Sequence, residues 1–192
     1  MLDQISSQTT KNRIMDAAED VVMRLGSVHL TFDVLVKETG LSKGGILYHY
    51  PNKKSLLQNM VQRMLDRFAM DRKRIEAKTE PTGMVEAKTY IRASFEKDDR
   101  YQASSTSLMA AAANDPELLE IVREDYRKNF AEIRATEKDA GLAALIYMAV
   151  DGVWLLDSLG LCLFTDEERN NLKQLLLNLA DAKKFKFTLA KE

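Results

Sequence analysis

The sequence predicts an all-α protein of about nine helices, and three observations carry that prediction. Apolar residues recur at three- and four-residue spacing in nearly every segment, which is the period of a helix with one buried face. No stretch sustains the alternation of a strand. The punctuation is also helical. Thr31, Ser42, Asn52, Asp115 and Thr165 stand where helix caps belong, Gly26 and Gly40 where helices end, and Pro51 where one cannot continue.

Composition bounds the rest. The chain has 192 residues, 45% of them hydrophobic, enough to bury a sizeable core. There is no continuous apolar run of about 18 residues, so no membrane span is expected. The opening MLDQISSQTT lacks a basic flank and an apolar core, unlike a secretory signal. One cysteine, Cys162, excludes an internal disulfide and fits a reducing compartment, so a cytoplasmic protein is expected. Net charge is only −1, but residues 1–75 carry 12 Lys+Arg against 8 Asp+Glu, and residues 76–192 carry 16 against 21. A basic head on an acidic body suits a nucleic-acid reader with a separate regulatory part.

Taken in order, residues 1–8 read as a frayed polar end, and Thr9 or Thr10 caps a first helix to Leu25. Its inward stripe is Ile14, Ala17, Ala18, Val21, Val22 and Leu25. Thr31 caps a second helix, Gly40 turns the chain at positive φ, and Ser42 caps a third helix that Pro51 stops. Helix, glycine-containing turn, helix is the arrangement that sets a second helix into the DNA major groove. That helix has an unusual outer face, with Lys43, Gly44 and Gly45 at its start and Tyr48 and His49 one turn on. Two glycines in so short a helix cost roughly 1 kcal/mol each against alanine, and a bare backbone suits close approach to another surface.

Asn52 caps a long helix to about Lys78, whose Lys53 and Lys54 oppose the helix dipole unless an anion lies there. Its last turns, Asp71–Arg74, read as a solvated charge run. After the break at Glu80–Gly83, helices are expected over about 84–97, 101–113 and 116–136. Residues 139–163 are apolar on more than one face, and Asp166–Glu168 open a final leucine-striped helix to about Lys184. Surplus apolar surface on these last two helices predicts a partner, most simply a second copy of the chain.

From Lys11 to Leu57, about a quarter of the chain, the sequence resembles the N-terminal domain of the TetR family of bacterial transcriptional regulators. The residues that carry the resemblance are Thr31, Phe32, Lys37, Glu38, Gly40, Leu41, Ser42, Lys43, Gly44, Tyr48, His49, Tyr50, Pro51, Asn52, Lys53, Leu56 and Leu57. Leu47 stands where a tyrosine is frequent in the family, Tyr50 replaces the usual phenylalanine, and Val36 and Thr39 replace small alanines.

The resemblance implies a helix-turn-helix domain over 9–52 and a helical ligand-binding and dimerisation domain over 53–192, with 53–78 as the linking helix. It implies a ligand-responsive repressor, a homodimer paired through 139–163 and 166–184, and a near-palindromic double-stranded DNA operator. DNA contacts are expected from Thr31, Ser42, Lys43, Gly44, Gly45, Leu47, Tyr48, His49 and Lys53. A small, mostly apolar effector is expected against Phe95, Met109, Tyr126, Tyr147, Met148, Asp151 and Trp154. Asp151 is the most informative of these, because a carboxylate in so apolar a segment needs a partner or a site.

Enzymes fit poorly. His29 and His49 have no metal-binding spacing, and neither a phosphate-cradling glycine loop nor a nucleophile elbow is present, so no cofactor or metal is expected. A helical adaptor that binds only proteins would explain the amphipathic helices. It would not explain the Lys43–Gly45, Tyr48, His49 and Lys53 face.

Overall fold

The computed structural model describes residues 2–96, 99–137, 139–161 and 164–181. These form nine α-helices, with no strand among them: α1 (Leu2–Leu25), α2 (Phe32–Thr39), α3 (Lys43–His49), α4 (Lys53–Glu76), α5 (Val85–Phe95), α6 (Asp99–Ala113), α7 (Pro116–Thr136), α8 (Ala140–Ser158) and α9 (Asp166–Asp181). A short 3-10 turn at Ser27–His29 joins α1 to α2. The chain divides into two compact units, Met1–Leu65 with Asp99–Arg123, and Asp66–Asp98 with Glu124–Glu192. Cys162 and the expected end of the last helix at Lys184 lie outside the described residues.

In the first unit the caps act as the sequence foretold. Thr31 Oγ1 accepts from the Val34 amide (3.2 Å), Gly40 sits at φ 67° with its amide on the Val36 carbonyl, and Ser42 Oγ accepts from the Gly45 amide (3.1 Å). Asn52 Oδ1 accepts from the Ser55 amide at 2.7 Å and starts α4. The core gathers Ile14, Ala18, Val21 and Val22 of α1 around Leu30, Leu35, Ile46, Tyr50, Leu56 and Met60, with Leu108 and Ala112 of α6 and Leu118 and Val122 of α7.

Two expectations for α1 need correction. The helix begins at Leu2, because no glycine or proline in 2–10 opposes it and a potential cap alone does not break a helix. Leu25 is 50% exposed, since the helix ends before its side chain can turn inward.

In the second unit α5 packs on α8 and α9, with Ile91, Leu142, Ile146, Tyr147, Val150 and Leu176 at the centre. Helix α8 stops at Ser158, five residues short of the expected end. The Leu161 amide bends back to the Leu156 carbonyl (2.8 Å) around Gly160 at φ 66°, a left-handed stop that apolar composition does not reveal. Over an 18-residue window α8 reaches a mean hydropathy of 1.5, long and apolar enough to cross a membrane by composition alone, although its sequence has no unbroken apolar run of that length. In the fold, however, it buries Leu142, Ala143, Ile146, Tyr147, Val150 and Val153, and its Asp151 is held by tyrosines.

Candidate functional site

The outer face of α3 follows from its cap. Ser42 fixes the first turn, and Gly45 leaves room for that cap, since a side chain there would begin 3.3 Å from Ser42 Oγ. Gly44 faces open space. Ile46 and Tyr50 point into the core while Tyr48 is 82% exposed, its ring edge-on to His49 with centroids 5.1 Å apart. Leu47 is half-buried. Lys43 Nζ meets Asp33 at 2.9 Å, with both groups largely in solvent. A pair so exposed is worth about 0–1 kcal/mol, so Lys43 can exchange Asp33 for another anion at little loss.

At the start of α4 the two lysines behave differently. Lys54 lies 2.8 Å from Glu117 and 3.7 Å from Asp115, and the hydrogen bond to Glu117 is the largest influence raising its pKa. Its charge is therefore answered by the start of α7, whereas an external anion was expected. Lys53 donates to the Val28 carbonyl at 3.3 Å, and partial burial lowers its pKa. Lys11 stands over the Tyr50 ring at 5.8 Å, and Arg13 donates to the Thr39 carbonyl, so both of these α1 charges have internal partners.

The second unit holds a polar cluster that is largely buried, with Tyr126 at its exposed edge. Tyr90 and Tyr126 both donate to the Asp151 carboxylate, the latter at 2.8 Å. Tyr90 stacks on Tyr147, with centroids 3.9 Å apart, and Phe68 and Phe130 stand edge-on and tilted beside the pair. Above these rings lies Arg72, 5.6 Å from the Tyr90 centroid. Its guanidinium donates to Glu86 (2.6 Å), Asn129 (2.6 Å) and Tyr147 Oη (3.1 Å).

Burial works against the charge of Arg72, but Tyr147 and Glu86 outweigh it and its pKa rises. Burial raises Glu86 in spite of the pull of Arg72. Burial also raises Tyr90, Tyr126 and Tyr147, with Asp151 adding to the first two. The Tyr90 and Tyr126 phenols stay protonated and donate, which is how Asp151 remains satisfied in an apolar segment, whereas Tyr147 Oη accepts from Arg72.

The expected effector residues are not all brought together. Tyr126, Tyr147 and Asp151 belong to this cluster, and Phe95 packs partly buried in the same unit. Trp154 falls on the α8 face of Tyr147 and Asp151, and its indole nitrogen is buried. Met109 does not join them, because it packs on the first unit's core beside Leu108 and Ala112. Met148 is 64% exposed, because helical spacing sets it with Leu145 and Leu155 on the opposite, outward stripe of α8. Asp71–Arg74 is not simply a solvated run, since Arg72 is buried within it.

Among known proteins, a family model described as "Tetracyclin repressor-like, C-terminal domain" matches residues 86–181, half of the chain. The chain belongs to the TetR family. No curated protein matches it in sequence. Solved structures share its fold at low identity. A transcriptional regulator from Rhodococcus sp. Rha1 is 20% identical with a TM-score of 0.72, covering 91% of this chain and 99% of that one. The multidrug binding protein EbrR complexed with imidazole is 20% identical with a TM-score of 0.70, covering 92% and 93%. A Saccharomonospora viridis protein in complex with choline is 16% identical with a TM-score of 0.71, covering 92% and 97%.

TetR-family regulators bind operator DNA as dimers and are in general not enzymes. In this TetR-family chain the sequence reading missed Arg72 and Lys88. Lys88 is 3% exposed and is held by Asp181 (2.8 Å) and Thr82 (3.2 Å). Only for Arg72 did a local hint exist, namely a basic residue four positions after the inward Phe68.

Proposed function

We propose that this TetR-family chain is a cytoplasmic, ligand-responsive repressor that reads a near-palindromic operator through α3 as a homodimer. The single observation that carries the reading is the capped, bare-backed face of α3, with Lys43 at its tip and Tyr48 exposed. Lys43, Gly44, Gly45, Leu47, Tyr48 and His49 are assigned to the groove, and Thr31, Ser42 and Lys53 to phosphates.

Residues 9–52 form the reading domain in this account, and 53–192 the regulatory one. The exposed stripe of Leu145, Met148 and Leu155 on α8, with Leu175 on α9, supports pairing of two copies through these helices. Imidazole and choline in the solved neighbours support a small-molecule effector here, and the aromatic cluster around Asp151 supports one that is mostly apolar. Effector binding favours a conformation whose reading helices are wrongly placed, with α4 as the link, and by linkage DNA weakens effector binding equally.

Fluorescence anisotropy with labelled duplex from the DNA preceding the protein's own coding sequence tests this. Affinity that falls steeply as salt rises is expected, together with a preference over scrambled duplex. An adaptor that binds only proteins gives no DNA signal.

A further inference from the structure

We propose that the effector is a neutral molecule with a flat apolar body and a carbonyl-type acceptor, as in a ketone, ester or amide, which takes the indole N–H of Trp154. The inference rests on the reading above, that the second unit binds an effector.

Its starting point is a pair of buried donors. Trp154 Nε1 and Arg72 Nε are both shielded from solvent and have no acceptor among the described residues. Their surroundings are otherwise occupied. The terminal nitrogens of Arg72 are taken by Glu86, Asn129 and Tyr147, and the Asp151 carboxylate accepts from Tyr90 and Tyr126. Both donors belong to the second unit. Arg72 touches Tyr147, and Trp154 lies seven residues further along α8, about 10 Å by helical rise, on the face that also carries Asp151.

A buried N–H without an acceptor is unfavourable, and a carbonyl oxygen relieves it. The stacked Tyr90–Tyr147 pair, with Phe130 beside it, makes the neighbourhood of Arg72 aromatic, which suits a flat apolar ligand. Charge selects among ligands. An anion would meet the carboxylates of Asp151 and Glu86. A cation would meet the Arg72 guanidinium and would leave both donors without an acceptor. A neutral acceptor-bearing molecule has neither conflict.

Four probes with one ring system separate these cases: 2-acetylnaphthalene, 2-ethylnaphthalene, 2-naphthoate and (2-naphthylmethyl)trimethylammonium. Trp154 is the only tryptophan, so its indole resonance in a proton–nitrogen correlation spectrum of the full-length protein is unambiguous. The acetyl compound should bind about five- to tenfold more tightly than the ethyl compound and move the indole proton downfield. In Trp154→Phe the two should bind equally.

Tightest binding by either charged probe overturns the proposal. So does equal binding of the acetyl and ethyl compounds to wild type, or an unmoved indole resonance. If none of the four binds to protein that still binds operator DNA, the ligand class is wrong and the regulator reading stands. If the protein binds no DNA, the regulator reading fails whatever the probes do. Should Trp154→Phe not fold, the indole shift in wild type still decides.

Discussion

Replacing Arg72 with alanine tests the buried cluster most sharply. The substitution leaves the Glu86 carboxylate, the Asn129 carbonyl and Tyr147 Oη without their shared donor. Removing one partner of a buried ion pair costs roughly 3–5 kcal/mol, because the other charge stays uncompensated. The Arg72 and Glu86 side chains are 11% and 16% exposed, so some water reaches them and the low end, about 3 kcal/mol, applies. That is a large share of a total stability of about 5–15 kcal/mol.

Urea unfolding at fixed protein concentration reads it directly. With a slope of about 2 kcal/mol/M, the midpoint should fall by about 1.5 M. The double variant Arg72→Met with Glu86→Leu removes both charges and should recover to within about 1 kcal/mol of wild type. A loss below about 1 kcal/mol for Arg72→Ala, or a double variant no better than the single one, refutes the reasoning that an uncompensated carboxylate is the cause.

Lys53→Ala should weaken binding to all DNA sequences alike and lower the salt slope of log affinity by about one; an unchanged slope removes Lys53 from the phosphate contacts. Tyr50 is 1% exposed, its hydroxyl has no partner among the described residues, and burial pushes its pKa up to about 12. Tyr50→Phe should therefore raise stability by about 1 kcal/mol, and a lower urea midpoint would contradict this. Burial holds Asp125 above the usual carboxylate range despite the hydrogen bond from Asn129, so the folded protein binds its proton more tightly than the unfolded chain. Its contribution is full below the usual value near 4 and is lost as pH rises through the raised folded value. Wild type should gain stability relative to Asp125→Asn between pH 6 and pH 4 in urea unfolding; a constant difference counts against the raised value.

What the sequence disclosed is what is decided locally. Thr31, Ser42, Asn52 and Asp115 cap helices because a side-chain oxygen reaches an amide two or three residues on, and Gly40 turns the chain through its own φ. The bare face of α3 was visible for the same reason. Burial that depends on distant partners was not visible. Arg72 sits in a charge run and is buried only because Glu86, Asn129 and Tyr147, 14 to 75 residues away, close around it. Tyr147 and Met148 are neighbours in sequence, yet the packing of α8 sends one inward and the other outward, which composition cannot distinguish. Asp151 lay between these cases. Its need for a partner was plain from its apolar surroundings, but nothing nearby in sequence named Tyr90 or Tyr126.

The central claim is that α3 enters the groove of duplex DNA. Site-specific photocrosslinking tests it most directly, with photoreactive benzoylphenylalanine placed at Tyr48 and, as a control, at the exposed Met70 of α4. A crosslink to operator duplex from position 48 and none from position 70 is the predicted result. Binding to the duplex with no crosslink from position 48 would contradict the account.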